Sequence, residues 1–263
     1  MKVIQSLILG ILQGLTEFLP VSSSGHLVLM QTIFGIDEGG LFFNVAVHLA
    51  TLVPVFIIFW KDILAVIKKP LGKMTWLIIA GTIPTAIIAL LFKDFFESAF
   101  KTGNTLGIGF YITGVILWYA DKTHKQTKKL ETTSYKDSAF VGLMQGIAII
   151  PAVSRSGSTI AGALFRGLDR EFALKLSFML SIPAILAATA KESIDLISAG
   201  TTASPVPIQV LLVGMIAAAL SGYVAIKILI KVLLKGSLRN FSYYVWILGT
   251  FVFLDQIFFK VFF

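Results

Sequence analysis

The chain has 263 residues, 56% of them hydrophobic and 14% charged, with a mean hydropathy of +0.88. Soluble domains carry about a quarter charged residues, so an ordinary soluble fold is excluded. With no cysteine and three histidines, disulfides, thiolate metal sites and a His-rich metal cluster are excluded too.

The formal charge of +8 sits mostly in a few loops, which suits the cytoplasmic leaflet of a membrane rather than nucleic acid. The N-terminus lacks the charged n-region and small-residue cleavage site of a signal peptide, so its apolar start is expected to be retained. Residues 3–30 are apolar but interrupted by Glu17, Pro20, Ser22, Ser23, Ser24, Gly25 and His26. Three uninterrupted runs follow, at 41–60, 74–92 and 104–120. Residues 138–165 form a second interrupted stretch, and 172–190, 207–230 and 243–260 are again continuous. A helix needs about 20 apolar residues to cross a bilayer, so at least six full spans are expected. Pro54 and Pro84 are read as helix kinks, and His48 as a bundle-facing packing or hydrogen-bonding residue.

The loops carry uneven charge. Residues 61–73 are net +3, 121–137 net +2, 166–175 net +1 and 227–240 net +4, whereas 93–103 are neutral and 191–206 net −1. Lys and Arg favour the cytoplasmic side. That places 61–73, 121–137 and 227–240 inside, and 93–103 and 191–206 outside. The alternation closes only if 138–165 re-enters and returns to the side it left. If 3–30 does the same, both termini face outward.

Offsetting the chain by 132 residues lays LQGLTEFLPVSSSG at 12–25 over MQGIAIIPAVSRSG at 144–157, with 6 identities in 14 positions. Three spans separate the copies, and an odd number turns the second copy over. This is an inverted-topology repeat. The expectation is an all-α polytopic membrane protein, one domain over 1–263 with halves of about 1–131 and 132–263. It has about six full transmembrane helices and two re-entrant helix pairs.

The copies differ in a complementary way. The first carries Glu17 and His26; the second has Arg155 where the first has Ser23. Ionisable groups within a membrane are costly and mark function. Arg155 with Ser154, Ser156 and Thr159, and with Gly157 allowing a turn onto a helix N-terminus, is a cradle for phosphate or another polyoxygen anion. A structural Arg155–Glu17 pair is the alternative use. His26 can act as nucleophile or base near neutral pH. Glu17 can orient the imidazole or hold a divalent cation. Gln13, at i, i+4 from Glu17, can add a neutral ligand but not a base. Ser22, Ser23 and Ser24 offer a nucleophile among phosphate-binding hydroxyls, and spacing does not choose between them. Two classes fit: an enzyme acting on a lipid phosphate, or a transporter or flippase for a phosphorylated polyprenyl lipid.

The paired segments resemble the undecaprenyl-diphosphate phosphatase (bacitracin-resistance) family. Its (E/Q)xxxE…PVSS(S/T)GH motif matches residues 13–26, and its PGxSRSGxT motif matches 151–159. The resemblance covers the whole chain. It implies hydrolysis of undecaprenyl diphosphate to the monophosphate carrier recycled in cell-wall synthesis, with Mg²⁺ or Ca²⁺ required. It also implies a multi-pass protein of the cell membrane with its site open to the outer face. Membrane lipids and the polyprenyl diphosphate would be its partners, with no nucleic acid and a homodimer allowed. The matching functional positions are Glu17, Ser22, Ser23, His26, Ser154, Arg155 and Thr159. The nucleophile stays open between Ser23 and His26. Gly25 and Gly157 support the two turns, and Ser24 and Ser156 add hydroxyls. Two departures stand out: Gln13 where many members have glutamate, and Ala152 in place of the usual glycine.

Overall fold

The structure, a computed structural model, describes residues 1–36, 40–102, 105–123, 126–198, 206–235 and 237–260. Among these the chain is helical, and the sole β feature is an isolated bridge between Lys128 and Leu168. The helices are α1 (Val3–Phe18), α2 (Ser23–Phe34), α3 (Gly40–Ala50), α4 (Leu52–Ile58), α5 (Trp60–Lys68), α6 (Lys73–Leu91), α7 (Lys93–Thr102) and α8 (Leu106–Asp121). There follow α9 (Tyr135–Ile147), α10 (Arg155–Phe165), α11 (Arg170–Ser198), α12 (Ile208–Lys235) and α13 (Arg239–Leu254), which runs into a π-turn at Asp255–Phe259.

Among the described residues five stretches are long and apolar enough to cross a membrane: Gly40–Ile58, Lys73–Leu91, Arg170–Ser198, Ile208–Leu234 and Arg239–Phe259. The protein is a polytopic helical membrane protein. The sixth expected span, 104–120, is α8. Its 16 residues give a helix about 24 Å long, a little short of the hydrocarbon core.

Polarity is arranged inside out. Leu90, Leu91, Ile247 and Phe251 are well exposed, while Ser6, Thr51, Asp137, Ser138 and Ser181 are fully buried. Apolar side chains meet lipid, and polar ones find partners inside the bundle. Small residues let backbones approach. A Cβ at Gly10 on α1 would run into the Gly214 backbone of α12, and one at Gly142 on α9 would run into the Gly81 backbone of α6. Beside each contact a buried serine donates across the helix pair: Ser6 to the Val210 carbonyl, and Ser138 to the Leu77 carbonyl at 2.6 Å. The α8 helix packs on α13, and α3 on α11. A buried aromatic knot of Phe18, Phe59 and Phe178, with Phe178 centroids 5.5 and 4.9 Å from the other two, ties α1 and the α4–α5 junction to α11.

The prolines act differently from one another. Pro54 lacks the N–H that would bond the Ala50 carbonyl, and the helix breaks at Thr51, whose hydroxyl donates to the His48 carbonyl at 2.5 Å. Pro84 lies inside α6 without ending it.

Charged residues gather the basic loops at one end. Asp62 pairs with Lys175 at 2.8 Å, Arg170 donates to Gln126 at 3.1 Å and to the Leu233 carbonyl at 2.9 Å, and Arg239 pairs with Asp121 at 3.0 Å. At the other end Lys191 pairs with Glu97 at 3.1 Å.

Asp137, at the start of α9, is fully buried. It accepts from Lys128 at 2.9 Å, from Arg166 at 2.8 Å at the end of α10, and from the Ser134 N–H and hydroxyl at 3.0 and 2.8 Å. Burial alone would raise its pKa. The Ser134 N–H, Lys128, the Ser134 hydroxyl and Arg166 outweigh that and hold the carboxyl well below the usual carboxylate range. A depressed carboxyl contributes stability above its ordinary unfolded pKa and loses it as pH falls through the folded value. Asp137→Asn is therefore expected to cost about 2–3 kcal/mol at neutral pH, since both cations can partly rehydrate. Thermal unfolding in detergent should show the wild-type midpoint falling towards that of the variant as the solution is acidified.

Candidate functional site

Two short helix pairs build the site. In the first, α1 ends at Phe18, Pro20 turns the chain, and Ser22 caps α2 by accepting from the Gly25 N–H at 3.4 Å. In the second, α9 ends at Ile147, Pro151 turns the chain, and Ser154 caps α10 by accepting from the Gly157 N–H at 3.0 Å. Ser23 and Arg155 are thus the first residues of α2 and α10. The early amides of both helices have no intrahelical acceptor, as at any helix N-terminus, and both termini favour an anion.

The two turns touch. A Cβ on Gly25 would press on the Ala152 methyl and the Phe110 ring, and one on Gly157 would meet Pro20 at 3.2 Å. The Ser156 hydroxyl donates to the Leu19 carbonyl at 3.2 Å. Thr113 on α8 pins the second turn, accepting from the Ser154 N–H at 2.9 Å and donating to the Ala152 carbonyl at 3.2 Å.

Ala152 has φ +62° and is fully buried. This is the left-handed conformation that the glycine of the family pattern adopts freely. Ala152→Gly should relieve about 1–2 kcal/mol of backbone strain while losing a buried methyl worth about 0.8 kcal/mol and adding chain entropy to the unfolded state. The expected net change is within about 1 kcal/mol. Ala152→Val, with a β-branched side chain at positive φ and no room beside Gly25 and Gly109, should cost about 3 kcal/mol. Unfolding midpoints in detergent check both.

Glu17, in the last turn of α1 and 6% exposed, is the centre. Its Oε1 accepts from Arg155 Nη2 at 2.5 Å and faces His48 Nε2 at 3.4 Å. Its Oε2 accepts from the Ser23 hydroxyl at 2.6 Å and from Gln13 Nε2 at 3.0 Å. A carboxylate at a helix C-terminus stands against the helix dipole. Here the Arg155 guanidinium, the nearby His48 imidazole and the N-terminus of α2 compensate it.

The expected residues divide into three groups. Glu17, Ser23, Arg155 and Gln13 meet at one point. Ser22, Ser24, Ser154 and Ser156 lie around the two caps, with the hydroxyls of Ser22 and Ser24, and of Ser154 and Ser156, each 3.3 Å apart. Thr159 turns away: its hydroxyl lies 2.6 Å from Ser177 on α11 and 2.9 Å from the Arg155 carbonyl. His26 lies outside the Glu17 network. Its Nδ1 is 2.7 Å from the Ser22 carbonyl and its Nε2 is 2.7 Å from the Tyr244 hydroxyl. The imidazole beside Glu17 belongs to His48.

His48 and Tyr244, like Thr113, are site residues that the motifs do not contain. His48 carried a signal, an ionisable group inside an apolar run. Its reading as a bundle-facing hydrogen-bonding residue agrees with its position, and its partner is the catalytic candidate. Tyr244 lies 218 residues from His26, and nothing in its local sequence marks it.

Among the described residues no group of three or more His, Asp and Glu side chains forms a metal cage. The residues that would hold a hard cation shared with a ligand are Glu17 and Gln13. Glu17 supplies one carboxylate, and the buried Gln13 Oε1 has no protein partner. Mg²⁺ is commonly held by one or two carboxylates and completed by substrate phosphates and water.

The fold and site define an integral-membrane protein with a carboxylate–arginine–serine centre enclosed between two helical turns. The chain belongs to the bacitracin resistance protein BacA family, whose model matches residues 6–251. It is 56% identical over 250 residues to the undecaprenyl-diphosphatase of Carboxydothermus hydrogenoformans, covering 95% of this chain and 96% of that protein. It is 46% identical to undecaprenyl-diphosphatase 4 of a Bacillus cereus strain, covering 96% of each chain. It is 44% identical to the undecaprenyl-diphosphatase of Halothermothrix orenii, covering 96% of this chain and 97% of that one.

Proposed function

We propose that this protein hydrolyses undecaprenyl diphosphate to undecaprenyl phosphate and inorganic phosphate, recycling the lipid carrier of cell-wall synthesis and bearing on bacitracin resistance. The observation that carries the reading is the Ser23–Glu17–Arg155 contact, where a hydroxyl, a base and a cation from both motifs converge within 2.6 Å steps. A nucleophile bonded to its base is the arrangement that activates serine. His26, with both nitrogens engaged elsewhere, is the weaker nucleophile candidate. Lipid carriage alone would leave the Ser23–Glu17 contact without a task.

In this mechanism Ser23 Oγ attacks the terminal phosphorus, its proton passes to Glu17 Oε2, and the anhydride P–O bond breaks to release undecaprenyl phosphate. Water then cleaves the phosphoserine, and Glu17 returns the proton to Ser23. Arg155 Nη2 holds Glu17, and its remaining N–H groups face the phosphoryl oxygens together with the first-turn amides of α2 and α10. A divalent cation, Mg²⁺ or Ca²⁺, would neutralise diphosphate charge beside Glu17 and Gln13 when bound. Ser22, Ser24, Ser154 and Ser156 shape the cradle, and Thr159 braces α10 against α11.

The chain is also read as an inverted repeat of about 1–131 and 132–263 with two re-entrant pairs, α1–α2 and α9–α10. Several observations support this. The α1·α12 and α6·α9 pairs correspond: Gly10 and Gly142, and Ser6 and Ser138, lie 132 residues apart, and their contacts Gly81 and Gly214, and Leu77 and Val210, lie 133 apart. The Asp137–Arg166 ion pair joins the start of α9 to the end of α10. Met1, Phe34, Ile36 and Val206 share one apolar cluster, so both ends of the α1–α2 pair lie beside Val206. Together with the positive-inside rule, this supports termini and a site opening on the outer face.

The test is phosphate release from undecaprenyl diphosphate by purified protein, with and without chelator. Turnover that stops with chelator and returns with Mg²⁺ or Ca²⁺ is expected. A folded protein that releases no phosphate under either condition overturns the reading.

A further inference from the structure

The His26 imidazole is held at both nitrogens, and one holder comes from the far end of the chain. The Ser22 carbonyl, 2.7 Å from Nδ1, can only accept, so Nδ1 carries a proton. In the neutral ring Nε2 then has a lone pair, and its neighbour must be a donor. The Tyr244 hydroxyl at 2.7 Å supplies it.

The ring geometry supports this assignment. The His26 and Tyr244 planes differ by 9° with centroids 5.7 Å apart. An Nε2 lone pair lies in the imidazole plane, so this near-parallel arrangement at full ring separation serves an in-plane hydrogen bond. Phe110 meets the imidazole edge-on at 5.6 Å. The groups placed against the ring from its own turn, from α8 and from α13 are thus Ser22, Phe110 and Tyr244, none of them charged.

Burial does not account for Tyr244. The residue is 47% exposed, whereas His26 is 7% exposed, and α13 packs chiefly on α8. The backbone at Ser22 is also held at φ +72°, a conformation that costs about 1–3 kcal/mol and places the Ser22 carbonyl on Nδ1. Two separate devices fix one imidazole.

We propose that Tyr244 is a positioning residue that keeps His26 as the neutral, Nδ1-protonated imidazole with Nε2 as an acceptor. The inference rests on the first motif forming part of the hydrolytic site. Ser23 and His26 stand three residues apart on α2, one turn above each other. In the second half-reaction the half-exposed Tyr244 side chain gives up Nε2 to water, and that water attacks the phosphoserine phosphorus and passes its proton to the freed lone pair. The P–Oγ bond breaks, Ser23 Oγ regains its proton from Glu17, and His26 later releases its own to solvent. An imidazolium could not accept that proton. Tyr244 contributes by keeping the ring uncharged until the step occurs.

The experiment compares wild type, Tyr244→Phe and His26→Ala, purified in detergent with matched unfolding midpoints, on undecaprenyl diphosphate across pH. Tyr244→Phe keeps the ring and removes only the donor. Its kcat should fall roughly ten-fold, with KM within two-fold. The acid limb of its kcat/KM profile should move up by about one unit, because a hydrogen bond that favoured the neutral ring is gone. The ¹⁵N spectrum of the wild type should show His26 protonated at Nδ1. An unmoved acid limb in Tyr244→Phe, or an Nε2-protonated His26 in the wild type, overturns the role of Tyr244 while an impaired His26→Ala keeps His26 in the site. Undiminished turnover by His26→Ala overturns the proposal and the reading beneath it together.

Discussion

Glu17→Gln is expected to lower phosphate release by roughly 10³-fold or more, the range for loss of a positioned base. The amide keeps the shape but cannot take the Ser23 proton. It also leaves the Arg155 side chain, 17% exposed, facing a neutral group, and His48 loses the carboxylate it faces at 3.4 Å. Removing one partner of a mostly buried pair costs about 3 kcal/mol, so the unfolding midpoint should fall as well. Both losses follow from one carboxylate joining α1, α2, α3 and α10. Glu17→Asp should recover little, since one methylene less withdraws the oxygens from partners at 2.5 and 2.6 Å on opposite sides. Phosphate release and thermal unfolding on the same preparations measure the two effects.

Ser23→Ala should abolish turnover to a similar degree, roughly 10³-fold or more, without the loss of stability. Ser23 is the first residue of α2 rather than its cap, which is Ser22, so the helix start survives. Its single side-chain bond is the one to Glu17, and Glu17 retains Arg155 and Gln13. Ser22→Ala makes the instructive contrast. It removes the cap on the Gly25 N–H but leaves the Ser22 carbonyl on His26, so stability should fall by about 1 kcal/mol with a smaller effect on kcat. Equal losses from Ser22→Ala and Ser23→Ala would contradict the assignment of the nucleophile.

Much of this architecture is legible in the sequence because bilayer thickness and the cost of burying charge leave a direct record there. The apolar runs at 41–60, 74–92, 172–190, 207–230 and 243–260 correspond to the five long apolar helices. The two interrupted stretches correspond to helix–turn–helix pairs with breaks at Pro20 and Pro151. The motif alignment pairs Ser23 with Arg155, and both prove to be the first residues of their helices.

Contacts between distant elements are not recorded in this way. His48 is brought to Glu17 by α3, just before the helix breaks ahead of Pro54, and Tyr244 reaches His26 from α13. Local pattern carries neither partnership. Thr159 matches the family motif, but helical periodicity from Arg155 turns its hydroxyl back to the Arg155 carbonyl and towards Ser177. The Ala152 departure registers in sequence as a missing glycine, and its consequence, a buried methyl at φ +62°, becomes visible only in the folded turn.

The central claim is that both motifs form one site through Glu17, and a double-mutant cycle on Glu17→Ala and Arg155→Ala tests it most directly. The readout is kcat/KM for radiolabelled phosphate release from undecaprenyl diphosphate. Groups that act as a unit show strongly non-additive losses, so the double variant should be no more than about ten-fold worse than the poorer single variant. Losses that multiply, with free energies adding to within about 0.5 kcal/mol, would mean that the two residues act independently and would contradict the account.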